Sequence, residues 1–233
     1  QFLPIFLDGY DVNVMAYGGT ASGKTHTLVG PELHRCAMDE SQLGIIARFV
    51  RELYHELYDE RAEIRRKSRI KVSFVDVYND EIKDLLANND IEAGGESTLQ
   101  PMRRPVQVRD YSVPGGKQWM RSEMVGQTEI ECNRIEDVLS CLENGLIVHR
   151  LQASSAYRDL SQGYHSIFTL TLHQRYADES GSDVTKMSSV RFIDFAASDR
   201  VQTESASFPQ APNKINHGLL SLNMIVTALG KAF

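Results

Sequence analysis

Residues 18–25 of this sequence read Gly18-Gly19-Thr20-Ala21-Ser22-Gly23-Lys24-Thr25. They fit the pattern G-x-x-x-x-G-K-[ST], a glycine-rich loop whose backbone N–H groups surround a phosphate group. In such a loop the lysine contacts the outer phosphates and the final hydroxyl holds Mg²⁺. We therefore predict that the loop residues bind a nucleotide; they are Gly18, Gly19, Thr20, Ala21, Ser22, Gly23, Lys24 and Thr25.

The segments on either side of this loop have the patterns of a strand and a helix. Asp11–Tyr17 is short and β-rich, and a helix is expected from Thr25 onward. A magnesium-dependent phosphate site also needs an acid at the end of a neighbouring strand. Asp194 closes the apolar run Val190–Asp194. We predict that it acts on Mg²⁺ through the water shell of the ion, while Thr25 binds the ion.

Strand and helix patterns alternate over most of the remaining chain. Helical spacing of apolar residues marks Ile46–Leu57, Ile135–Leu142 and Ile215–Leu229. Strand patterns mark Ile70–Tyr78, Ile167–Leu172 and Val190–Phe195, and the weak pattern between Pro101 and Glu131 predicts small strands or a hairpin. This alternation predicts an α/β domain with a mostly parallel central sheet that is flanked by helices on both faces. The apolar stripe of the last helix is expected to pack in the core.

Composition excludes several classes of protein. The chain has 233 residues, 42% hydrophobic and 24% charged, which is ordinary for a globular domain and argues against disorder and collagen-like repeats. A net charge of -6 argues against a protein that coats nucleic acid. Apolar runs are too short for a membrane span, and a signal peptide is not expected. Three cysteines without metal-ligand spacing are typical of reduced thiols in an intracellular protein.

Several of these segments resemble a known family. The stretch from Ala16 through the loop to Thr27 resembles the pattern A-Y-G-Q-T-G-S-G-K-T-H-T of the kinesin motor domain. Other kinesin signatures follow in kinesin order, at Gly44–Ile46, Val77–Leu86, His165–Phe168, Asp194–Asp199 and Ile215–Leu220. The resemblance implies that residues 1–233 form a partial kinesin-like motor domain with a P-loop NTPase fold. It also implies that the first strand and the C-terminal elements are lacking, so that the strand before the loop lies at an open sheet edge.

Departures from the family pattern fall in the two segments that sense the terminal phosphate. Kinesin switch I reads N-x-x-S-S-R-S-H. Here the first serine and the histidine are kept, as Ser161 and His165. Gln162 stands at the position of the second serine, and Gly163 at that of the arginine. Switch II reads D-L-A-G-S-E in the family, and this chain has Ala197 for the glycine and Asp199 for the glutamate. The resemblance implies catalytic roles for Lys24, Asp194 and Ser161, and nucleotide binding by His26 beside the loop. The departures predict weak hydrolysis, because a lost donor in such a site costs about 10²-fold or more.

The resemblance implies ATP or ADP with Mg²⁺ as cofactors, microtubules as the partner, and a cytoplasmic location on the cytoskeleton. A second interpretation is a non-motile kinesin-like scaffold with signalling-protein partners, of the Costal type found in Hedgehog signalling. A third is an unrelated P-loop kinase, for which we find no segment that resembles an acceptor-substrate lid. Between Arg200 and Asn213 the chain has no lysine, so few basic residues are available there for acidic tubulin.

Overall fold

The computed structural model describes residues 2–31, 42–58, 68–78, 81–87, 105–112, 120–155, 163–177, 183–198 and 211–231. The helices in these ranges are α1 (Leu3–Leu7), α2 (Lys24–Val29), α3 (Ile45–Tyr58), α4 (Ile135–Ser155) and α5 (Ala211–Lys231). The strands are β1 (Val12–Ala16), β2 (Ser68–Tyr78), β3 (Glu81–Asp84), β4 (Gln107–Ser112), β5 (Met120–Val125), β6 (Ile130–Cys132), β7 (His165–Ala177) and β8 (Asp183–Asp194). None of the described helices is long and apolar enough to cross a membrane.

The main sheet has six strands in the order β1-β8-β7-β2-β3, with β6 also paired to β2. The expected α/β architecture is confirmed, but the prediction of a mostly parallel sheet is wrong. Among the pairings of the described residues, β1 with β8 is parallel and the others are antiparallel. The sheet is mainly antiparallel because the connections between consecutive strands are short. β2 and β3 are separated by residues 79–80, and β7 and β8 by residues 178–182, and such short links join only antiparallel neighbours.

The core lies on one face of this sheet. Alternate residues of β2, β7 and β8 point toward α1, α3 and α4, and Phe74, Phe168 and Phe192 are almost fully buried. Phe49 of α3 packs edge-on against Phe192 with 5.6 Å between the ring centroids. Burial of side chains of this size stabilises the fold by about 1.5–3 kcal/mol each. The helical stripes predicted at Ile46–Leu57 and Ile135–Leu142 are therefore confirmed as core-facing surfaces.

Two further expectations from the sequence can be compared with the described residues. β4 and β5 pair antiparallel, which confirms the hairpin expected between Pro101 and Glu131. β1 lies at one end of the described sheet order, as expected for the open edge beside the loop. Met15 on this strand is half exposed.

The helix predicted around Ile215–Leu229 is present as α5, but its apolar stripe is not in the core. Of the predicted stripe, Val226 and Leu229 are each 57% exposed, whereas Leu219 and Leu222 are partly buried. The side chain of Ile215 lies outside the described residues. The expectation of a buried stripe is therefore wrong for Val226 and Leu229. A period of 3.6 residues predicts that a helix has an apolar face, and it carries no information about what covers that face.

Gly145 gives a direct test of the packing between α4 and the sheet. A Cβ atom at this position would lie 2.2 Å from Cδ1 of the buried Phe74 ring. We expect Gly145→Ala to lower the free energy of unfolding by about 1–3 kcal/mol, because the ring has to move within a packed core. Urea denaturation followed by circular dichroism measures this change.

Gly230→Ala in α5 is the matched control, because a Cβ atom there meets nothing within 4 Å. The control should leave stability unchanged or raise it slightly, since alanine favours a helix. Equal stability of the Gly145→Ala variant and the wild type would contradict the described packing of α4 on β2.

Candidate phosphate-binding site

The glycine-rich loop connects β1 to α2 through a backbone path that needs glycine. Gly23, immediately before α2, has a φ of 88°, in the left-handed region that disfavours residues with a Cβ atom. At Gly18 a Cβ atom would lie 2.7 Å from Oγ of Ser22. The loop also closes on itself, with the Ser22 N–H donating to the Gly19 carbonyl over 3.3 Å. The predicted loop conformation is therefore confirmed by the backbone geometry.

Ala21 occupies a strained position at the tip of this loop. Its φ is +56°, and in the described part of the chain it is the non-glycine residue with a positive φ. A residue with a Cβ atom in the left-handed region costs about 1–2 kcal/mol. Ala21 lines a cavity beside the loop. The backbone conformation there determines how the N–H groups of the loop are oriented.

Lys24 holds its ammonium group over the loop. Nζ donates to the carbonyl oxygens of Gly18 over 3.1 Å and Gly19 over 2.8 Å, and the side chain is half-buried. These two hydrogen bonds fix a positive charge beside the loop backbone. An anion that enters the loop therefore meets a cation that is already in place, which lowers the entropic cost of binding.

Asp194 lies against the loop because β1 and β8 run parallel. Ala16 and Asp194 are register partners at the ends of these strands, so both chains leave the sheet at the same edge. Oδ2 of Asp194 accepts a short hydrogen bond from the Thr25 hydroxyl. Oδ1 is buried and has no hydrogen-bond partner among the described residues. Burial raises the pKa of Asp194, while the Thr25 hydrogen bond and the nearby Lys24 lower it.

The unpartnered carboxylate oxygen is an observation that fits a hydrated cation. A buried carboxylate oxygen without a partner is unfavourable unless water or an ion meets it. Thr25 and Asp194 supply oxygen ligands of the kind that Mg²⁺ binds, and Mg²⁺ characteristically keeps several waters. These two residues would hold the ion, Thr25 through its hydroxyl and Asp194 through water.

Five of the predicted residues meet at a cavity of about 170 Å³. It is lined by Thr20, Ala21, Lys24, Thr25 and Asp194 from the predicted set, together with His149, Tyr164, Ser166, Phe195, Ala196 and Ala197. Gly18, Gly19, Ser22 and Gly23 shape the loop without lining the cavity, and His26 is exposed on α2 outside it. Ser161 lies outside the described residues. A cavity of this size fits a phosphate group and its metal, since pockets for whole small ligands measure about 300–1,000 Å³.

Two histidines at this site were not assigned a role from the sequence. Nδ1 of His149 on α4 lies 2.7 Å from Oδ2 of the buried Asp76. Nδ1 of His165 accepts a hydrogen bond of 3.1 Å from the Ala196 N–H, and burial lowers the pKa of His165, so its ring is neutral. A neutral ring is required for this bond, because a protonated Nδ1 cannot accept. His165 thereby ties the start of β7 to the segment that follows β8.

A larger cavity of about 410 Å³ lies elsewhere, between α3 and the start of α4. Its lining includes Arg51, Tyr54, His55 and Arg134, and it contains neither the glycine-rich loop nor Asp194. Size alone does not identify a functional site. The smaller cavity brings together a shaped loop, a fixed cation and an unsatisfied carboxylate oxygen, so the chemistry points there.

Comparison with known proteins identifies the family. The family model of the kinesin motor domain matches residues 1–232. This chain belongs to the kinesin motor domain family. It is 30% identical over 229 residues to the kinesin-like protein Klp61F of Drosophila melanogaster, covering 96% of this chain and 20% of that protein. It is 33% identical over 224 residues to the chromosome-associated kinesin KIF4 of Xenopus laevis, covering 95% of this chain and 16% of that protein.

A solved structure described as "Structure of a fast kinesin: Implications for ATPase mechanism and interactions with microtubules" shares the fold. The TM-score is 0.72 at 26% identity, over 92% of this chain and 53% of that one. The P-loop kinesin fold expected from the sequence is therefore confirmed. The chain spans about a fifth of the length of the curated relatives named above.

In the described parts of the two kinesin switch segments, two residues have larger side chains than the family pattern has at those positions. Tyr164 stands where the pattern has a serine before the histidine, and it is buried against Tyr78 with 4.7 Å between the ring centroids. Ala197 stands where the pattern has glycine and lines the cavity. Ser161, Gln162 and Asp199 lie outside the described residues.

Ala21 offers a test of the strained kinesin P-loop. Ala21→Gly should raise the free energy of unfolding by about 1 kcal/mol, because glycine adopts a positive φ without steric cost. Thermal unfolding monitored by circular dichroism, compared with wild type in the same buffer, measures the change. Ala47→Gly in α3 is the control, where the same substitution creates a gap in the core. It should lower stability, and a lower stability of both variants would contradict the conformation assigned to Ala21.

Proposed function

We propose that this chain binds ATP or ADP with Mg²⁺ at the glycine-rich loop and hydrolyses ATP weakly. The observation that carries the proposal is the arrangement of Lys24, Thr25 and Asp194 around one cavity, with a buried oxygen of Asp194 that has no hydrogen-bond partner among the described residues. Bound Mg²⁺ supplies Lewis-acid neutralisation of the charge that develops on the phosphates. Lys24 holds the outer phosphates, and the loop orients them.

The proposal of weak hydrolysis rests on the switch segments. Efficient hydrolysis requires donors that align water and stabilise the developing negative charge. Tyr164 presents an aromatic ring to the cavity where the family pattern has a serine hydroxyl next to the histidine. Ala197 adds a methyl group and a narrower range of backbone conformations at the position of the switch II glycine. Each change removes or constrains a group near the terminal phosphate.

Microtubule binding is proposed from family membership, and with it a cytoplasmic location on the cytoskeleton. The chain contributes few basic residues to such an interface: Lys214, His217 and Lys231 follow a stretch from Arg200 to Asn213 that has no lysine. Because tubulin is acidic, affinity that depends on so few cations should be modest and should fall as salt increases.

A non-motile scaffold is the second candidate function. The departures at Tyr164 and Ala197 favour it, since a domain that binds nucleotide without rapid turnover can present a nucleotide-dependent surface to signalling proteins. The kinesin family match gives no support to the third interpretation, an unrelated P-loop kinase. Motility in a microtubule-gliding assay separates a motor from a scaffold.

Phosphate release from the complete protein, with and without microtubules, tests this proposal. We expect ATP turnover about 10²-fold or more below that of a transport kinesin assayed in parallel, with little stimulation by microtubules. Lys24→Ala should weaken nucleotide binding by about tenfold or more, because a charge-assisted contact is lost.

Lys71→Ala is the matched control, because Lys71 pairs with Glu129 at the surface and does not line the cavity. This variant should bind nucleotide like the wild type. Strong stimulation of phosphate release by microtubules would contradict weak hydrolysis. Equal binding by the wild type and Lys24→Ala would contradict the assignment of the site.

A further inference from the structure

A buried carboxylate lies beside the phosphate cavity and is held by two polar side chains. Asp76 on β2 is 1% exposed. Its Oδ2 lies 2.7 Å from Nδ1 of His149, and its Oδ1 accepts a 2.6 Å hydrogen bond from the Ser166 hydroxyl. A buried carboxylate is costly unless it is paired and hydrogen-bonded. The contact with Asp76 favours a proton on His149, because a carboxylate partner favours the charged imidazole.

The strand register places this group in one row with the magnesium-site carboxylate. Asp76 is the register partner of Ser166 on β7, and Ser166 is the register partner of Asp194 on β8. Ala16, at the start of the loop, is the partner of Asp194 on the other side. Register partners in adjacent strands have their side chains on the same face of a sheet. The row therefore runs from the loop to the Asp76 pair along one face of the sheet.

His149 itself is part of the cavity wall. It lines the same cavity as Lys24 and Thr25, and its side chain retains 22% exposure. Asp76 engages Nδ1, which leaves Nε2 as the ring nitrogen that can meet a ligand. The Tyr164 ring packs edge-on against the imidazole at 5.9 Å and limits its rotation. An imidazole with one nitrogen on a carboxylate is fixed in orientation, and protonation makes the other nitrogen a donor.

We infer that His149 is a second phosphate-binding residue, which donates from Nε2 to the outer phosphate of the nucleotide only when its ring is protonated. Nucleotide affinity is then linked to pH, and Asp76 is the positioning residue that holds the proton and the orientation of the ring. This inference rests on the proposed nucleotide binding, and it adds a cation to a site in which Lys24 supplies the other one.

Groups of both signs surround the ring of His149. The carboxylates of Asp76 on β2 and Asp194 at the end of β8 favour its protonated form, and the cation of Arg150 on α4 opposes it. Lys24 lines the same cavity, and Tyr164 packs against the imidazole with Lys83 above the tyrosine ring. The hydrogen bond to Asp76 raises the pKa of His149, burial lowers it, the charges of Asp76 and Asp194 raise it, and Arg150 lowers it, with a net increase above the ordinary 6.5.

The raised pKa of His149 determines how nucleotide affinity changes with pH. A bound phosphate raises the pKa of His149 further, because an anion favours the charged ring. The contribution of His149 to affinity is fully present below the pKa of the nucleotide-free state, and it is lost as pH rises through the pKa of the bound state. Since both values lie above the ordinary 6.5, the loss falls above pH 6.5.

The test is the dissociation constant of a fluorescent ADP, measured on the complete protein from about pH 6 to about pH 9. Each titration is run with Mg²⁺ and again with EDTA, which separates His149 from the metal site. We expect wild-type affinity to fall about tenfold as pH rises from 6.5 through this range, which is the effect of one charge-assisted hydrogen bond. The phosphate of ADP titrates near pH 6 in every sample, so comparison between variants removes its contribution.

Four variants make the test specific. His149→Arg keeps the charge at every pH and should bind tightly with a flat profile, whereas His149→Gln should bind weakly with a flat profile. Asp76→Asn keeps the shape of the partner without its charge, so it should move the midpoint of the profile to lower pH. His173→Gln, on β7 away from the cavity, should follow the wild type.

The outcomes separate the two proposals. A profile of His149→Gln that parallels the wild type, or a midpoint unmoved by Asp76→Asn, overturns the role of His149 and leaves nucleotide binding intact. Absence of ADP binding by every variant at every pH overturns the proposed function, and the role of His149 with it.

Discussion

The parallel pairing of β1 with β8 is the constraint on which the site depends. It aligns Val12 with Val190 at one end and Ala16 with Asp194 at the other, so the glycine-rich loop and the acidic strand end leave the sheet at the same edge. The N–H groups of Phe195 and Ser198 then donate to the carbonyls of Ala16 and Gly18, which extends the pairing beyond the strands. An antiparallel β1 would place Asp194 at the opposite end of the strand from the loop.

The same edge of the sheet concentrates buried carboxylates, which lowers the stability of the fold. Burial raises the pKa of Asp194, so its ionised form is less favourable in the folded chain than in water. Asp76 is more deeply buried and depends on His149 and Ser166 for its hydrogen bonds. Such arrangements reduce stability unless a ligand compensates, and they are typical of functional sites. The strained backbone of Ala21 belongs to the same pattern.

Local signals made the loop, most strands and the amphipathic helices predictable. The loop pattern at residues 18–25 is contiguous, and the stripe of α3 repeats within one segment, so both could be interpreted without knowledge of the fold. The sheet direction was mistaken because the sequence pattern located only part of β7 and β8, which hid the short link between them. The exposure of Val226 and Leu229 on α5 has a similar cause. The periodicity of apolar residues identifies the apolar face of a helix, but it does not show what packs against that face.

The pair formed by His149 and Asp76 carries no sequence signal of comparable strength. The two residues are 73 positions apart, and only the packing of α4 on β2 brings them together. The bond between His165 and Ala196 likewise joins segments that are distant in the chain. Ser161 remains a prediction, because it lies outside the described residues. Contacts between residues that are distant in the sequence can therefore be identified only from the fold, whereas contiguous motifs can be identified from the sequence.

The central claim is that Thr25 and Asp194 hold a magnesium ion beside a nucleotide phosphate on this loop. Calorimetric titration of the complete protein with ADP, in Mg²⁺ and in EDTA, measures that claim directly in the wild type and in Asp194→Asn. We predict that the wild type loses about tenfold or more in affinity when the metal is removed, and that Asp194→Asn shows a much smaller difference. Equal wild-type affinity with and without Mg²⁺, or an undiminished metal effect in Asp194→Asn, would contradict the account.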